Sequence, residues 1–139
     1  MRILIINGPN LNMLGKRDPK HYGSLTLKEI NKELKLMAKG KASLKFYQSN
    51  SEGKLVTFIQ KHLYYDAMII NAGAYTHTSI AIHDALEMFK GRIIEVHLSD
   101  ISKREAYRLV NYITPLATKT IAGLQEKGYY QAMESLLKK

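Results

Sequence analysis

Four stretches of this chain concentrate side chains that can do acid–base or anion-binding chemistry. The first carries Asn7, Asn10, Asn12, Arg17 and Tyr22, and the second Gln48, Ser49 and Asn50. The third carries Asn71 and the run Tyr75-Thr76-His77-Thr78-Ser79. The fourth carries His97, Ser99, Asp100, Arg104 and Arg108. Imidazoles change charge near neutral pH, which suits His97 to proton transfer. The guanidiniums of Arg17, Arg104 and Arg108 suit carboxylates and other anions.

Each of these residues also has a plainer use. Asn7 and Asn10 beside Gly8-Pro9 fit a turn held by side-chain-to-backbone hydrogen bonds. Gln48, Ser49 and Asn50 fit the end of a strand and the cap of a helix, and Ser99 fits a turn cap. His83 and Asp84 fit the solvent face of a helix. Glu95 alternates into a strand, where a lone carboxylate needs a partner.

Five segments read as strands: Arg2 to Asn7, Ala42 to Gln48, Ala67 to Ile70, Arg92 to His97 and Thr118 to Ala122. The continuous aliphatic run Ile3-Leu4-Ile5-Ile6 suits a strand buried on both faces of a parallel sheet. Helices alternate with the strands. Thr26 and Glu29 form a capping-box pattern ahead of Leu27, Ile30, Leu34 and Met37, with Gly40 as the stop. Ser51 and Glu52 open a second helix, Ser79 to Phe89 is a third, and Gln125 to Leu137 is the last. Arg104 to Val110 reads as a short helix or turn. The alternation predicts an α/β fold with a parallel sheet covered on both faces, and ligands bind such sheets at the carboxyl ends of the strands. The four polar stretches all lie there, which favours an enzyme. Gly8 to Ser24, about 17 residues, exceeds the usual strand-to-helix connection and predicts a lid or binding loop.

The chain has 139 residues and is 45% hydrophobic, enough for one domain with a real core. No apolar run approaches the roughly 20 residues of a membrane span, and no secretory leader is evident. Cysteine is absent, so thiolate chemistry and disulfides are excluded; the composition is compatible with the cytoplasm. Lys and Arg number 21 against 12 Asp and Glu, a formal charge of +9 that attracts anions of any kind. Lys28, Lys32, Lys35 and Lys39 dot one helix, and Lys138-Lys139 end the chain. Nucleic acid is weakly indicated, because the nine tyrosines show no stacking-platform spacing. Gly8 to Gly15 lacks both GxGxxG and GxxxxGK[ST] patterns. His77, Asp84 and His97 could be arranged as metal ligands, but their spacing specifies nothing.

Taken together, the motifs resemble type II 3-dehydroquinate dehydratase of the shikimate pathway, over almost the whole chain and in order. They are Ile5-Ile6-Asn7-Gly8-Pro9-Asn10-Leu11-Asn12-Met13-Leu14-Gly15, Arg17 through Tyr22-Gly23, Gln48-Ser49-Asn50 with Glu52-Gly53, and Asn71 with Gly73 through Ser79. Glu95-Val96-His97-Leu98-Ser99 with Arg104-Glu105, and Ile121 through Leu124 with Gly128-Tyr129, complete the match. Ala72, Ser51, Asp100 and Val110-Asn111 depart from the usual residues.

The resemblance implies a flavodoxin-like three-layer sandwich with a five-stranded parallel sheet flanked by helices. It implies a single catalytic domain over residues 1–139 with a lid at about 15–24. The implied activity is that of a cofactor-independent carbon–oxygen lyase without metal, removing water from 3-dehydroquinate by anti elimination through an enol or enolate. Partners implied are a small anionic substrate and further copies of the chain, in a dodecamer built from trimers, with no nucleic acid and no membrane. Tyr22 is the implied base. An ordinary phenol, with a pKa near 10, is a poor base at neutrality, and a neighbouring cation favours the phenolate, which makes Arg17 its activator. Asn12 is the implied enolate stabiliser, His97 the general acid and Glu52 its orienting carboxylate. Asn71, His77, Leu98, Ser99 and Arg108 are implied substrate receptors. Arg104 holds the lid, and Asp84 reaches the site of an adjacent subunit. The alternatives are another hydrolase or lyase using the same arginine-rich rim, and a nucleic-acid-binding α/β module.

Overall fold

The computed structural model describes residues 1–138, and Lys139 lies outside them. Five parallel strands form one sheet: β1 (Arg2–Asn7), β2 (Ser43–Gln48), β3 (Ala67–Asn71), β4 (Arg92–His97) and β5 (Lys119–Ala122). Their order is β2-β1-β3-β4-β5. That is the flavodoxin-like order, in which the chain reverses direction across the sheet between β1 and β3 and opens a crevice at their carboxyl ends.

Alternate strand residues feed two cores, as the two-residue repeat of a strand requires. Ile3, Ile5, Ala67, Ile69, Ile94 and Val96 face one way. They meet α2 (Leu27–Ala38) and α5 (Lys127–Leu137), through Ile30, Leu34, Met133 and Leu136. Leu4, Ile6, Met68, Ile70 and Ile93 face the other way, against α3 (Glu52–Gln60) and α4 (Ile80–Glu87). Near-complete burial of β1 and β3 explains their unbroken aliphatic runs.

The expected capping box is present. The Thr26 hydroxyl accepts from the Glu29 amide at 3.2 Å, and the Glu29 carboxylate accepts from the Thr26 amide at 3.0 Å. The last helix starts two residues later than expected, at Lys127. Gln125 has φ of 53°, which right-handed helix cannot contain. The β4–β5 crossover contains no α-helix. It runs through short 3₁₀ turns at Ile101–Lys103, Ala106–Leu109 and Thr114–Leu116. The long first connection carries a 3₁₀ turn at Leu11–Met13 and then α1 (Pro19–Tyr22), four residues whose N-cap Asp18 accepts from the Lys20 amide. Among the described residues no helix is long and apolar enough to cross a membrane.

Candidate active site

The carboxyl ends of β1, β3 and β4 open into one pocket of about 110 Å³. That is well below the roughly 300–1,000 Å³ of drug-sized sites, so it suits a small molecule. The strand ends line it with Asn71, His97, Leu98 and Ser99, the long first connection with Arg17 and Tyr22, and His77, Arg104 and Arg108 complete the lining. Nine expected site residues therefore converge from segments up to 91 positions apart. Asn12, Glu52 and Asp84 do not join them.

Tyr22 ends α1 and is half-buried. The Arg17 guanidinium carbon stands 3.6 Å from the centre of its ring, and Arg104 Nη1 donates to its phenol oxygen at 2.7 Å. The cation on the oxygen is thus Arg104, while Arg17, the expected activator, covers the ring. Arg104 Nη1 also lies 3.3 Å from Ser99 Oγ, which ties the lid to the end of β4.

Across the pocket, His97 closes β4 with 4% of its surface exposed. Its Nε2 donates to Glu95 Oε2 at 2.5 Å. Glu95, not Glu52, is therefore the carboxylate that orients His97. Glu52 opens α3 just past β2, three strand spacings or roughly 14 Å across the sheet from β4. Glu95 and His97, two apart on one strand, share a face. Three further groups donate to Glu95: Asn111 Nδ2 at 2.8 Å, Thr114 Oγ1 at 2.5 Å and Thr120 Oγ1 at 3.0 Å, the last from the paired position on β5. Burial alone would raise the Glu95 pKa. The hydrogen bonds from His97, Thr114 and Asn111 outweigh it and hold the carboxyl below its usual range.

His77 donates from Nδ1 to the Val110 carbonyl at 2.7 Å. Desolvation lowers its pKa, aided by the nearby charges of His97 and Arg108. Arg108 Nε donates to both Glu105 oxygens at 3.2 and 3.0 Å, leaving its terminal nitrogens for the pocket. That pairing draws the exposed Glu105 carboxyl down to about 2.

Asn71 lines the pocket, but much of its amide is engaged in the scaffold. Its Oδ1 accepts from the Gly73 amide at 3.1 Å, and its Nδ2 donates to the Tyr129 hydroxyl at 3.0 Å. That hydroxyl donates to Asn7 Oδ1, so Tyr129 of α5 knots the ends of β1 and β3. Burial pushes its phenol pKa upward.

One further correction concerns position. Asn10, not Asn12, lines the pocket. A 3₁₀ turn has three residues per turn; Leu11 points inward, and Asn12 and Met13 are left exposed. Asp84 is exposed on α4, whose Ile82, Ala85 and Leu86 face the core. It neighbours His83 and Glu87 rather than His77 and His97, so the His77–Asp84–His97 metal arrangement is not formed within this chain.

Asn10, Glu95, Asn111, Thr114 and Thr120 were missing from the expected site. The two-residue spacing of Glu95 and His97 is a signal that could have found Glu95. Three of the departures from the usual residues also find uses. Ser51 caps α3 by accepting from the Lys54 amide, Asp100 caps the next 3₁₀ turn by accepting from the Ser102 amide, and Asn111 serves Glu95.

A phenol set between two guanidiniums, facing a carboxylate-backed imidazole across a small cationic pocket, defines an enzyme that moves protons on a small anion. The comparisons agree. The family model for class II dehydroquinase matches residues 1–137. The chain is 51% identical over 139 residues to a 3-dehydroquinate dehydratase of Roseiflexus castenholzii, covering 99% of this chain and 88% of that one. It is 48% identical over 137 residues to one of Hyphomonas neptunium, covering 98% and 92%. The crystal structure of the type II dehydroquinase from Butyrivibrio crossotus superposes with a TM-score of 0.93 at 39% identity, covering 98% of this chain and 97% of that one. The chain belongs to the class II dehydroquinase family.

Proposed function

We infer that this chain dehydrates 3-dehydroquinate to 3-dehydroshikimate, by anti elimination through an enolate. The observation that carries the reading is the placing of Tyr22, between Arg17 and Arg104, across one pocket from His97 on Glu95.

Tyr22 as phenolate takes the substrate proton next to the ketone. Cations over its ring and on its oxygen stabilise that negative charge. The electron pair moves onto the carbonyl oxygen, and Asn10, open at the pocket, donates to the enolate there, directly or through water. Collapse of the enolate forms the carbon–carbon double bond and expels the hydroxyl, which leaves as water with a proton from His97. Glu95 holds His97 Nε2, so Nδ1 is the nitrogen that serves the substrate, and the buried carboxylate balances the imidazolium before transfer. Arg108, His77, Leu98 and Ser99 receive the substrate carboxylate and hydroxyls, and Asn71 keeps one amide hydrogen for the same purpose. Each proton transfer has a named side chain, so the hydro-lyase needs neither metal nor organic cofactor.

The single catalytic domain carries its lid at about residues 15–24, and α1 inside that segment bears the base. We place the enzyme in the cytoplasm, in keeping with its cysteine-free composition. It works as an oligomer, a dodecamer built from trimers, with Asp84 reaching a neighbour's pocket. Ile80 and Asp84 of α4 and its C-cap Met88 lie four apart and are all exposed, a surface that a second copy would cover. An active monomer in sedimentation would refute that assembly.

The test of the reaction is to mix the protein with 3-dehydroquinate and a chelator and follow the ultraviolet absorbance of the conjugated enone. Rapid turnover at catalytic protein concentration is expected. Folded, assembled protein without turnover would overturn the reading.

A further inference from the structure

We propose that Gln125 is a latch, a positioning residue that holds the lid, and with it Tyr22, over the pocket in the free protein. The proposal rests on the reaction inferred above for its effect on catalysis, but not for its effect on the lid.

The first observation is backbone conformation. Among the described residues, only Asn10 and Gln125 have positive φ without being glycine. Asparagine visits the left-handed region readily, whereas glutamine has no such ease. A side chain kept in a costly conformation directs attention to what it gains there.

What it gains is a bridge. The Gln125 amide N–H donates to the Leu98 carbonyl at 3.0 Å. Its side-chain Nε2 donates to the Pro19 carbonyl at 3.0 Å and reaches the Lys20 carbonyl at 3.4 Å. Leu98 lines the pocket and follows His97 directly. Pro19 and Lys20 belong to α1, whose last residue is Tyr22. One residue therefore couples the backbone beside the general acid to the helix bearing the base.

The lid needs such an anchor. None of the four residues of α1 is fully buried, and a helix this short leaves its carbonyls in want of donors. The Pro19 carbonyl takes the Gly23 amide as well as Gln125. The next residue confirms how closely the lid sits on this corner. Gly23 has φ of +72°, and a Cβ there would lie 2.7 Å from Glu126 Oε2 and 3.5 Å from Gln125 Cβ. Arg104 holds the lid from the pocket side through the Tyr22 hydroxyl, and Gln125 holds it from behind.

Two variants separate the latch from general stability. Gln125→Gly removes the amide and relieves the backbone, so its Tm should not fall below that of the parent. Gln125→Glu keeps the length but offers no donor to the lid carbonyls. Trypsin cleavage after Arg17 and Lys20 in the substrate-free protein reports the open lid, since cleavage follows the population of the open form. Both variants should be cut about threefold to tenfold faster there, the loss expected for one or two hydrogen bonds. KM for 3-dehydroquinate should rise by a similar factor with kcat little changed, because a rarer closed state weakens apparent binding in proportion. Unchanged lid cleavage in both variants would overturn the latch. Faster cleavage with unchanged KM would overturn its positioning role. Faster cleavage in a protein whose parent has no dehydratase activity would leave the latch standing and remove the reaction instead.

Discussion

The two walls of the pocket are built on opposite terms. His97 stands at the end of a central strand, 4% exposed, on a carboxylate that takes four hydrogen bonds. Tyr22 stands on a four-residue helix with no buried residue, held by Arg104 and, through α1, by Gln125. A group that must keep one tautomer and balance a buried charge gains from fixed dipoles in a dry setting. A group that must admit substrate and then close on it gains from an element with few contacts. The acid is built into the sheet, and the base is delivered by a lid.

Removing the base should expose that contrast most sharply. Tyr22→Phe should lower kcat at least about a hundredfold, the scale of general base catalysis, while the fold and substrate binding persist. Ultraviolet turnover with a parallel binding titration checks it; near-normal turnover would break the assignment. On the rigid wall, Glu95→Gln keeps a hydrogen-bonding shape but removes the charge that balances an imidazolium. Dehydration should fall by about tenfold to a hundredfold, with exchange of the substrate C2 proton falling less. Isotope exchange separates the steps, and equal losses would show that Glu95 does not act through the leaving group.

Asn111→Ala removes one of the four donors to Glu95 and should cost about fivefold in kcat, near the worth of one hydrogen bond. Because Asn111 Oδ1 also accepts from the Ile113 and Thr114 amides, Asn111→Asp is the useful companion. It keeps those acceptors but sets a second carboxylate against Glu95, and should be the worse of the two. If it matches the parent, Asn111 only shapes the turn.

The smallest effect is on stability against pH. The folded Glu95 pKa is depressed, so its contribution is full above the unfolded carboxylate value near 4.5 and is lost as pH falls through the lower folded value. The folded His77 pKa is also depressed, so protonation of the unfolded chain below about 6.5 erodes stability as pH falls. Urea midpoints should decline as pH falls below about 6.5 through His77 and further below about 4.5 through Glu95, and Glu95→Gln should flatten only the part below about 4.5. An unaltered slope in the variant would mean that Glu95 carries no such linkage.

Local pattern was sufficient for elements whose burial follows from their own residues. Ile3 to Ile6 needs two covered faces wherever it goes, and Thr26 with Glu29 caps a helix through bonds within four residues. The order of motifs likewise marked the family and most of the pocket, because parallel strands bring their carboxyl ends to one rim whatever their separation in the chain.

Choices between neighbouring or chemically equal residues were left to the tertiary structure. Asn10 and Asn12 differ by two positions in one motif, and only the 3₁₀ turn puts the first inside and the second outside. Glu52 and Glu95 are equal as carboxylates until the strand order sets β2 three spacings from β4. Gln125 carries no sign of a latch until a left-handed turn lays its amide against a helix 105 residues earlier. Sequence by itself determined which groups exist and which face of an element they share. Packing decided which of them meet, because meeting depends on strand order and turn handedness, which arise only when distant segments fold together.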